Sequence, residues 1–452
     1  MKVDLPRFFK ACNPNNTLIS GNADFQNYYI DFSAIPGRNS IKELRRTITK
    51  LSPDRPTCQL FTGYSGCGKS TELRRLKSQL ELEDFHVVYL EFQQDNNIEA
   101  SDIDKILVAI AYQVHKEIPL KTQMSWLRRL RRGFAGIFQR LTIEFEYEKD
   151  IPLIGGKGKF SIKDKGSYKD YNQLWKYLRT TSSTILQSLN EEILTPAIES
   201  LMQQGKNGLV VIVDKIEPVD SKSRISEDTK SADPSADWGE QLSQLEDLFI
   251  ERGEQLSKLN CHVIYTIPLP LMFSDKSEKL KNRLGKGVTP KVLQIVPVKL
   301  RNGRDFQKGI VLMRQVILSR AFPGVDENTR KRLIREVFDS EETLDRLCRL
   351  SGGHVQQLLE LLYACLQQKD PPLSRACVEG EIQKYCNRLR LALTDEEWNL
   401  LCQVVKQKSL KGDKEKKILL RSIQKEFVFE YSDDKGSWFV INPALEEAKR
   451  LR

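Results

Sequence analysis

A nine-residue loop constrains the fold of this chain more than any other part of its sequence. Residues 63–71 are GYSGCGKST, which satisfies the pattern G-x-x-x-x-G-K-[ST]. The loop follows the short apolar run TCQLFTG at 57–63 and opens a segment from about Lys69 to Glu83 that has leucines on one face. The sequence therefore predicts a phosphate-binding loop between a strand and a helix of a βαβ unit, and hence a parallel sheet.

Each residue type in this loop has a chemical role in holding a phosphate chain. Glycines allow the backbone to take positive φ and to curl its N–H groups around phosphate, and the N-terminus of the following helix favours negative charge. We predict that Lys69 reaches the β- and γ-phosphates, that the Ser70 hydroxyl binds Mg²⁺, and that Thr71 lies near the α-phosphate. The predicted nucleotide-binding residues of the loop are Gly63, Gly66, Gly68, Lys69, Ser70 and Thr71.

A second apolar run ends in an acid. LVVIVDKIE at 209–217 predicts a buried strand that finishes at Asp214, which fits an aspartate that holds Mg²⁺ together with Ser70. Glu217, three residues further on, is a candidate for orienting or activating the attacking water. Asp220 and the surroundings of Asp214 offer alternatives for that role.

A further strand, CHVIYTI at 261–267, ends near Thr266. This threonine either senses the γ-phosphate from the neighbouring strand or bonds only to backbone. The predicted catalytic residues are Lys69, Asp214 and Glu217, and the predicted Mg²⁺ ligands are Ser70 and Asp214.

Outside these motifs the periodicity of the chain changes several times. Strand patterns at 85–92 and 292–298 complete a five-strand set, and residues 119–180 interrupt the alternation of strands and helices like an insertion. The pattern is helical after about residue 304, and the chain then ends in helices followed by two alternating runs around DDKGS, a β-hairpin signal. Helices followed by a hairpin suggest a winged-helix module.

Composition narrows the classes of protein to consider. Hydrophobic residues make up 40% and charged residues 29%, which suits a folded soluble protein, and no apolar run approaches the roughly 20 residues that span a bilayer. The beginning of the chain does not resemble a secretory signal, and nine cysteines without a CxxC pair indicate free thiols, so we expect a cytoplasmic protein. Four scattered histidines predict no structural zinc.

In sequence order, these motifs resemble those of the AAA+/STAND group of P-loop ATPases. GRNSIKELRRTI at 37–48 resembles the Gly-Arg box that precedes the P-loop, VVIVDKIE resembles the Walker B segment, and CHVIYTIP resembles sensor 1. LCRLSGGHVQQLLELL at 347–362 is similar to the Ser-Gly-Gly segment of the helical lid. The resemblance extends over about residues 25–450.

The resemblance implies a fold and a mode of action. The fold is α/β, a P-loop NTPase with a parallel sheet ordered 5-1-4-3-2, a helical lid and a C-terminal winged helix. The activity is a switch that binds ATP and Mg²⁺, hydrolyses ATP slowly or on stimulation by a protein partner, and forms homo-oligomers on binding ATP. The corresponding domains are an N-terminal segment (1–50), the core (51–304, with insertion 119–180), the lid (305–390) and a winged-helix-like domain (391–452).

Two departures from the family pattern predict weak hydrolysis in the absence of a partner. Such lids often carry an arginine where this chain has Gln356, although Arg349 and His354 are nearby. The Walker B segment commonly has a second acid where this chain has Lys215. The candidates for an arginine finger are Arg283, Arg301 and Arg304.

Two other functions are consistent with parts of the sequence. The net charge of +10, the basic segment SWLRRLRRGFAGIFQRL at 125–141 and a winged helix would suit a DNA-associated ATPase. The structural alternative for that segment is a helix that packs on the protein through its apolar face and exposes its basic face to solvent. A small-molecule kinase requires a substrate pocket with a general base, and the sequence shows none. A preference for GTP is not indicated, because the chain has no Asn-Lys-x-Asp motif.

Overall fold

The computed structural model describes residues 1–92, 103–118, 141–147, 158–164, 182–216, 242–391, 393–407 and 413–450. Glu217, Asp220 and the basic segment up to residue 140 lie outside the described residues. The strands are β1 (Cys58–Gly63), β2 (Phe85–Phe92), β3 (Leu141–Tyr147), β4 (Gly158–Asp164), β5 (Gly208–Asp214), β6 (His262–Thr266), β7 (Lys291–Leu293), β8 (Val428–Asp433) and β9 (Gly436–Ile441).

The α-helices alternate with the strands in the first part of the chain and follow one another in the second. They are α1 (Leu5–Ala11), α2 (Ala23–Tyr28), α3 (Ser40–Arg46), α4 (Lys69–Glu81), α5 (Ile103–Glu117), α6 (Ser182–Leu189), α7 (Thr195–Gln203), α8 (Ser277–Arg283), α9 (Gln307–Ala321), α10 (Glu327–Arg332), α11 (Ile334–Val337), α12 (Glu341–Leu350), α13 (Val355–Gln368), α14 (Arg375–Arg390), α15 (Asp395–Gln407), α16 (Asp413–Gln424) and α17 (Pro443–Arg450).

The larger sheet has the strand order β3-β4-β2-β5-β6-β1-β7. Strand β5 pairs in parallel with β2 on one side and with β6 on the other, and β6 pairs in parallel with β1. The five predicted strands, numbered in chain order, therefore lie in the order 2-3-4-1-5, and the predicted 5-1-4-3-2 sheet is confirmed. Since parallel strands end at a common edge of their sheet, β1, β2, β5 and β6 share one carboxyl edge.

Two strands from the segment interpreted as an insertion extend this sheet. β3 and β4 form an antiparallel pair with the register Leu141↔Asp164 to Tyr147↔Gly158. β4 then pairs in parallel with the end of β2, from Leu90↔Gly158 to Phe92↔Phe160. The runs LTIEFEY and GKFSIKD thus form an antiparallel pair that extends the edge of the sheet.

The chain divides into two compact units, and one of them contains most of the sheet. It comprises 42–62 and 76–291. All seven residues of β5 are buried, which is typical of a parallel strand covered by helices on both faces. Helix α5 contributes Ile106, Ile110 and Val114 to this core, at the spacing expected for one face of a helix.

The second unit is mainly helical and also includes the glycine-rich loop. It comprises 1–41, 63–75 and 292–452. Its core is built around α9, α12 and α13, with fully buried Phe322, Phe338 and Leu347. Polar side chains cap the helices where the sequence supplies them: Ser340 accepts a hydrogen bond from the Thr343 N–H before α12, and Ser374 from the Cys377 N–H before α14.

The C-terminal elements have the order helix, helix, hairpin, helix. β8 and β9 pair in antiparallel register from Val428↔Ile441 to Asp433↔Gly436, so the predicted hairpin is present. The following helix α17 packs against α14. The assignment of 391–452 to a winged-helix domain stays a prediction. Among the described helices, none combines the length and the apolar character that crossing a membrane requires.

Candidate functional site

The glycine-rich loop joins the end of β1 to the first turn of α4. Gly66 has φ 64° and Gly68 has φ 99°, in the left-handed region that residues with a Cβ rarely occupy. A Cβ on Gly66 would also lie 2.1 Å from the Gln356 Oε1 atom, whereas one on Gly68 would meet nothing within 4 Å. Gly68 is thus required for its backbone conformation, and Gly66 for both its conformation and the close approach of α13.

The predicted residues of the loop lie together in one turn. The Lys69 Nζ donates hydrogen bonds to the carbonyl oxygens of Gly63 (2.9 Å) and Tyr64 (2.8 Å), so the ammonium group lies over the loop. Ser70 and Thr71 follow in the first turn of α4 and are partly buried. The first N–H groups of a helix have no partner within the helix and attract anions, so this turn offers donors and positive charge together.

Asp214 lies at the end of β5, with only 1% of its surface exposed. Its Oδ2 accepts a hydrogen bond of 2.6 Å from the Tyr89 hydroxyl, and its Oδ1 accepts one of 2.9 Å from the Lys215 N–H. Each carboxylate oxygen has a second lone pair for another partner. The carboxylate is therefore fixed in orientation and retains acceptor capacity.

A second acid, which the sequence analysis did not single out, lies beside Asp214. Glu91 is the direct register partner of Asp214 in the pairing of β2 with β5. The Lys215 Nζ lies 2.7 Å from Glu91 Oε1. The sequence shows a glutamate near the end of the apolar run FHVVYLEF at 85–92. Only the strand order shows that this run pairs with the strand that ends at Asp214.

Thr266 is buried at the end of β6, and its hydroxyl lies 3.5 Å from the Val213 carbonyl oxygen. This long contact agrees with the expectation of a threonine that bonds to backbone. Its predicted role as a γ-phosphate sensor stays a prediction.

His354 connects the start of α13 to the glycine-rich loop. Its Nδ1 accepts a hydrogen bond of 3.2 Å from the Gln357 N–H as the N-cap of α13, so its Nε2 carries the proton and donates to the Ser65 carbonyl at 2.6 Å. Burial lowers the pKa of His354 to about 4, and the ring is therefore neutral near pH 7. Its ring stacks on Phe429 of β8 at 5.8 Å between centroids.

Tyr64 connects the same loop to the C-terminal hairpin. Its hydroxyl accepts a hydrogen bond of 2.9 Å from the Glu430 N–H, and its ring meets the Phe429 ring edge-on at 5.7 Å. Tyr64 is 2% exposed, so both contacts are shielded from water. Two consecutive loop residues, Tyr64 and Ser65, thus contact β8 and α13 directly.

Arg38, in the segment similar to a Gly-Arg box, donates a hydrogen bond to the backbone of the glycine-rich loop. Its guanidinium donates to the carbonyl oxygens of Gln294 (2.7 Å) and Cys67 (3.3 Å) and lies 4.7 Å from the centre of the Phe32 ring. Burial lowers the pKa of Arg38 from its usual value. The sequence analysis identified this box but not its bond to the loop.

The arginine candidates differ in their surroundings. Arg283 pairs with Glu251 at 2.7 Å and Arg301 with Asp433 at 2.9 Å, so carboxylates of this chain already bind both guanidinium groups. Arg349 donates to Asp305 at 2.7 Å. Arg304 is exposed. A role for any of them as an arginine finger stays a prediction.

Comparisons with known proteins found similarity only among solved structures. No protein-family model and no curated protein sequence matches the chain. The chain is similar to the ORC1 protein of Aeropyrum pernix in complex with DNA (10% identity, TM-score 0.37, covering 94% of this chain and 95% of that one). It is also similar to a Walker-type ATPase of Pyrococcus abyssi (11% identity, TM-score 0.38, covering 90% and 95%).

A third similar structure is the ORC2 protein of Aeropyrum pernix in its ADPNP–ADP complexes (13% identity, TM-score 0.41, covering 100% of this chain and 96% of that one). All three likenesses extend over nearly the whole chain, yet their TM-scores lie below 0.5. They therefore carry no conclusion about the ligands or the activity of this protein.

Proposed function

We propose that this chain binds Mg²⁺-ATP through Gly63–Thr71 and acts as a nucleotide-dependent switch with slow or partner-stimulated hydrolysis. The observation that carries the proposal is the conformation of the loop. Two glycines in the left-handed region bring the backbone around to the N-terminus of α4, and the Lys69 ammonium lies over the turn. Backbone N–H groups, a helix N-terminus and a lysine together form a site for a chain of phosphates.

The donor chemistry of the remaining predicted residues fits Mg²⁺. Ser70 and Asp214 offer hydroxyl and carboxylate oxygens, the ligand type that this cation prefers, and each oxygen of Asp214 has a lone pair left after its protein hydrogen bond. These two residues would hold the ion, Asp214 through water. When bound, Mg²⁺ neutralises charge that develops on the phosphates.

The contacts of the loop with other elements support a nucleotide-dependent switch rather than a site that only binds nucleotide. Ser65 bonds to His354 at the start of α13, and Tyr64 bonds to Glu430 of β8. A phosphate chain that reshapes the loop changes the positions of these two acceptors. Nucleotide binding is thereby linked to the helical lid and to the C-terminal hairpin, both of which belong to the same compact unit as the loop.

ATP binding is the part of the proposal to test first. Purified wild type, Lys69→Ala and the control Lys258→Ala are titrated with fluorescent ATP in the presence of Mg²⁺, and their sizes are followed by chromatography. Lys258 is an exposed lysine that pairs with Glu254. We expect Lys69→Ala to lose at least about tenfold in affinity, since a charge-assisted contact is worth roughly 1.5–3 kcal/mol, while the control binds like wild type. Wild type that fails to bind ATP would overturn the proposal.

The alternative is an ATPase that associates with DNA. The turn of the β8–β9 hairpin carries Asp433 and Asp434 beside Lys435, and Asp433 pairs with Arg301. The turn therefore has no surplus of positive charge to contact the phosphates of DNA. DNA affinity that falls steeply between roughly 50 and 200 mM salt and strengthens with ATP would favour the alternative over the regulatory switch.

A further inference from the structure

We propose that Gln356 and Glu360 of α13 form a latch on the glycine-rich loop, which weakens the binding of ATP until the Gln356 amide turns its nitrogen toward the phosphates. This inference rests on the proposed ATP site and concerns the regulation of that site. The loop, α13 and both residues of the latch belong to the same compact unit.

Gln356 lies directly against the loop. A Cβ on Gly66 would be 2.1 Å from Gln356 Oε1, 2.5 Å from its Cβ and 2.9 Å from its Cδ. The side chain of Gln356 is therefore folded over Gly66, with its amide oxygen in contact with that residue. The start of α13 is held at the same place by His354, which bonds to the carbonyl oxygen of Ser65, the residue before Gly66. Two consecutive residues of the loop thus contact this end of the helix.

Glu360 fixes the orientation of the Gln356 amide. Gln356 Nε2 donates a hydrogen bond of 3.0 Å to Glu360 Oε1, one turn further along α13. An ionised carboxylate accepts hydrogen bonds and does not donate them, so the amide nitrogen faces Glu360 and the amide oxygen faces Gly66. Phosphate oxygens are also acceptors, and an amide oxygen held over the loop therefore offers them no hydrogen bond.

Glu360 also brings a negative charge close to the loop. Burial is the largest cause of the low pKa of His354, which the Glu360 carboxylate raises and the Lys69 ammonium lowers, so both charges act on the ring that bonds to Ser65. Glu360 is only partly exposed, and salt therefore screens its charge less than that of a fully exposed carboxylate. A negative charge at this place opposes the phosphates of ATP.

A half-turn of the Gln356 amide replaces the acceptor over Gly66 by a donor. The last torsion of a glutamine side chain is broad and roughly two-fold, so the turn itself costs little. It exchanges the bond from Nε2 to Glu360 for a bond from Nε2 to a phosphate oxygen. The affinity for ATP is therefore reduced by the bond and by the charge of Glu360, and a partner contact that draws Glu360 away from Gln356 strengthens the binding of ATP.

The experiment separates the bond from the charge. Purified variants are titrated with fluorescent Mg²⁺-ATP at low and at high salt, and the melting temperature of each is measured. Glu360→Gln removes the charge but keeps an acceptor for Gln356, whereas Glu360→Ala removes both, and each substitution is made in the wild-type and in the Gln356→Ala background. The matched control is Glu327→Gln, which neutralises an exposed glutamate that also pairs one turn along its helix, with Lys331 at 2.8 Å.

We expect Glu360→Gln to bind ATP about two- to fivefold more tightly than wild type, the range for one partly exposed charge, and to lose part of this gain at high salt. Glu360→Ala should gain about a further two- to tenfold, as expected for the release of one hydrogen bond. In the Gln356→Ala background the two substitutions should give equal gains, because no amide remains to be released. Glu327→Gln should bind like wild type.

Three results would overturn the inference. The first is Glu360→Ala that folds and binds ATP no more tightly than wild type, and the second is equal gains for Glu360→Gln and Glu360→Ala in the wild-type background. The third is a gain of the same size in Glu327→Gln, because the effect would then follow from net charge alone. Glu360→Leu, which also lacks an acceptor, replaces Glu360→Ala if that variant does not fold.

Failure of the latch and failure of the proposed function give different results. In each of the three cases wild type binds ATP, so the proposed switch stands without the latch. Wild type that does not bind ATP removes both the proposed function and the latch.

Discussion

The Nε2–H of His354 donates a hydrogen bond of 2.6 Å to the carbonyl oxygen of Ser65. The two residues are 289 positions apart in the chain, yet this bond ties the first turn of α13 to the glycine-rich loop. His354 also caps α13 through Nδ1, so one neutral ring serves the helix and the loop at the same time. Any change in the loop that displaces the Ser65 carbonyl therefore acts on the lid.

Replacing His354 by alanine should destabilise the lid. The change removes the cap of α13, which is worth about 1 kcal/mol, and also removes the donor to the part-buried Ser65 carbonyl oxygen. We expect the free energy of unfolding to fall by about 2 kcal/mol in urea titrations. The control is Ser340→Ala, which removes the cap of α12 together with its local bonds to Asp339 and Thr343 but no contact with the loop, and should cost about 1 kcal/mol. Equal losses in the two variants would contradict a structural role for the bond to Ser65.

Stability should depend on pH through the same residue. The pKa of His354 is about 4 in the folded protein and about 6.5 when unfolded, so the unfolded state binds the extra proton as pH falls between these values. The stabilisation is present above pH 6.5 and is lost progressively toward pH 4, by roughly 3 kcal/mol in total. Urea titrations of wild type and His354→Gln across this range should converge as pH falls. A constant difference between the two proteins would contradict the prediction.

Adding a methyl group at Gly66 should disturb both the loop and its contact with α13. Gly66→Ala places a Cβ at φ 64° and within 2.1 Å of the Gln356 side chain. We expect a loss of at least about 1–2 kcal/mol of stability from the backbone conformation alone, together with at least tenfold weaker binding of ATP. Gly205→Ala is the matched control, since Gly205 has φ 80° and a Cβ at this position would meet nothing within 4 Å. That control should lose stability but keep its affinity for ATP.

Removing the Tyr64 hydroxyl should separate the loop from the C-terminal hairpin. Tyr64→Phe leaves the buried Glu430 N–H without its acceptor, at a cost of about 1–3 kcal/mol, while the ring and its contact with Phe429 remain. In wild type, amide hydrogen exchange within β8 should slow when ATP binds, and in Tyr64→Phe this response should be lost. Tyr431→Phe, which removes a hydroxyl bonded to the Gly352 carbonyl, is the control and should retain the response. An unchanged response in Tyr64→Phe would show that the hairpin does not sense the loop through this bond.

The local elements of the site were predictable from sequence because each depends on neighbours in the chain. The loop between β1 and α4 follows from its glycines, its lysine and the periodicity on either side, and the acid at the end of β5 follows from an unbroken apolar run. The strand order was predicted through the family resemblance and is confirmed. Hydrogen-bonding of Thr266 to backbone was one of two alternatives that the sequence left open.

The tertiary structure alone decided which distant residues meet. Glu91 lies beside Asp214 because β2 and β5 are neighbours in the sheet, while Ser65 and Tyr64 meet His354 and Glu430 because the loop belongs to the same compact unit as the lid and the hairpin. Local propensity and periodicity describe contacts between residues a few positions apart, whereas these pairs are joined by the packing of whole elements. The sequence by itself thus determined the glycine-rich loop between β1 and α4, and the fold determined the residues that surround it.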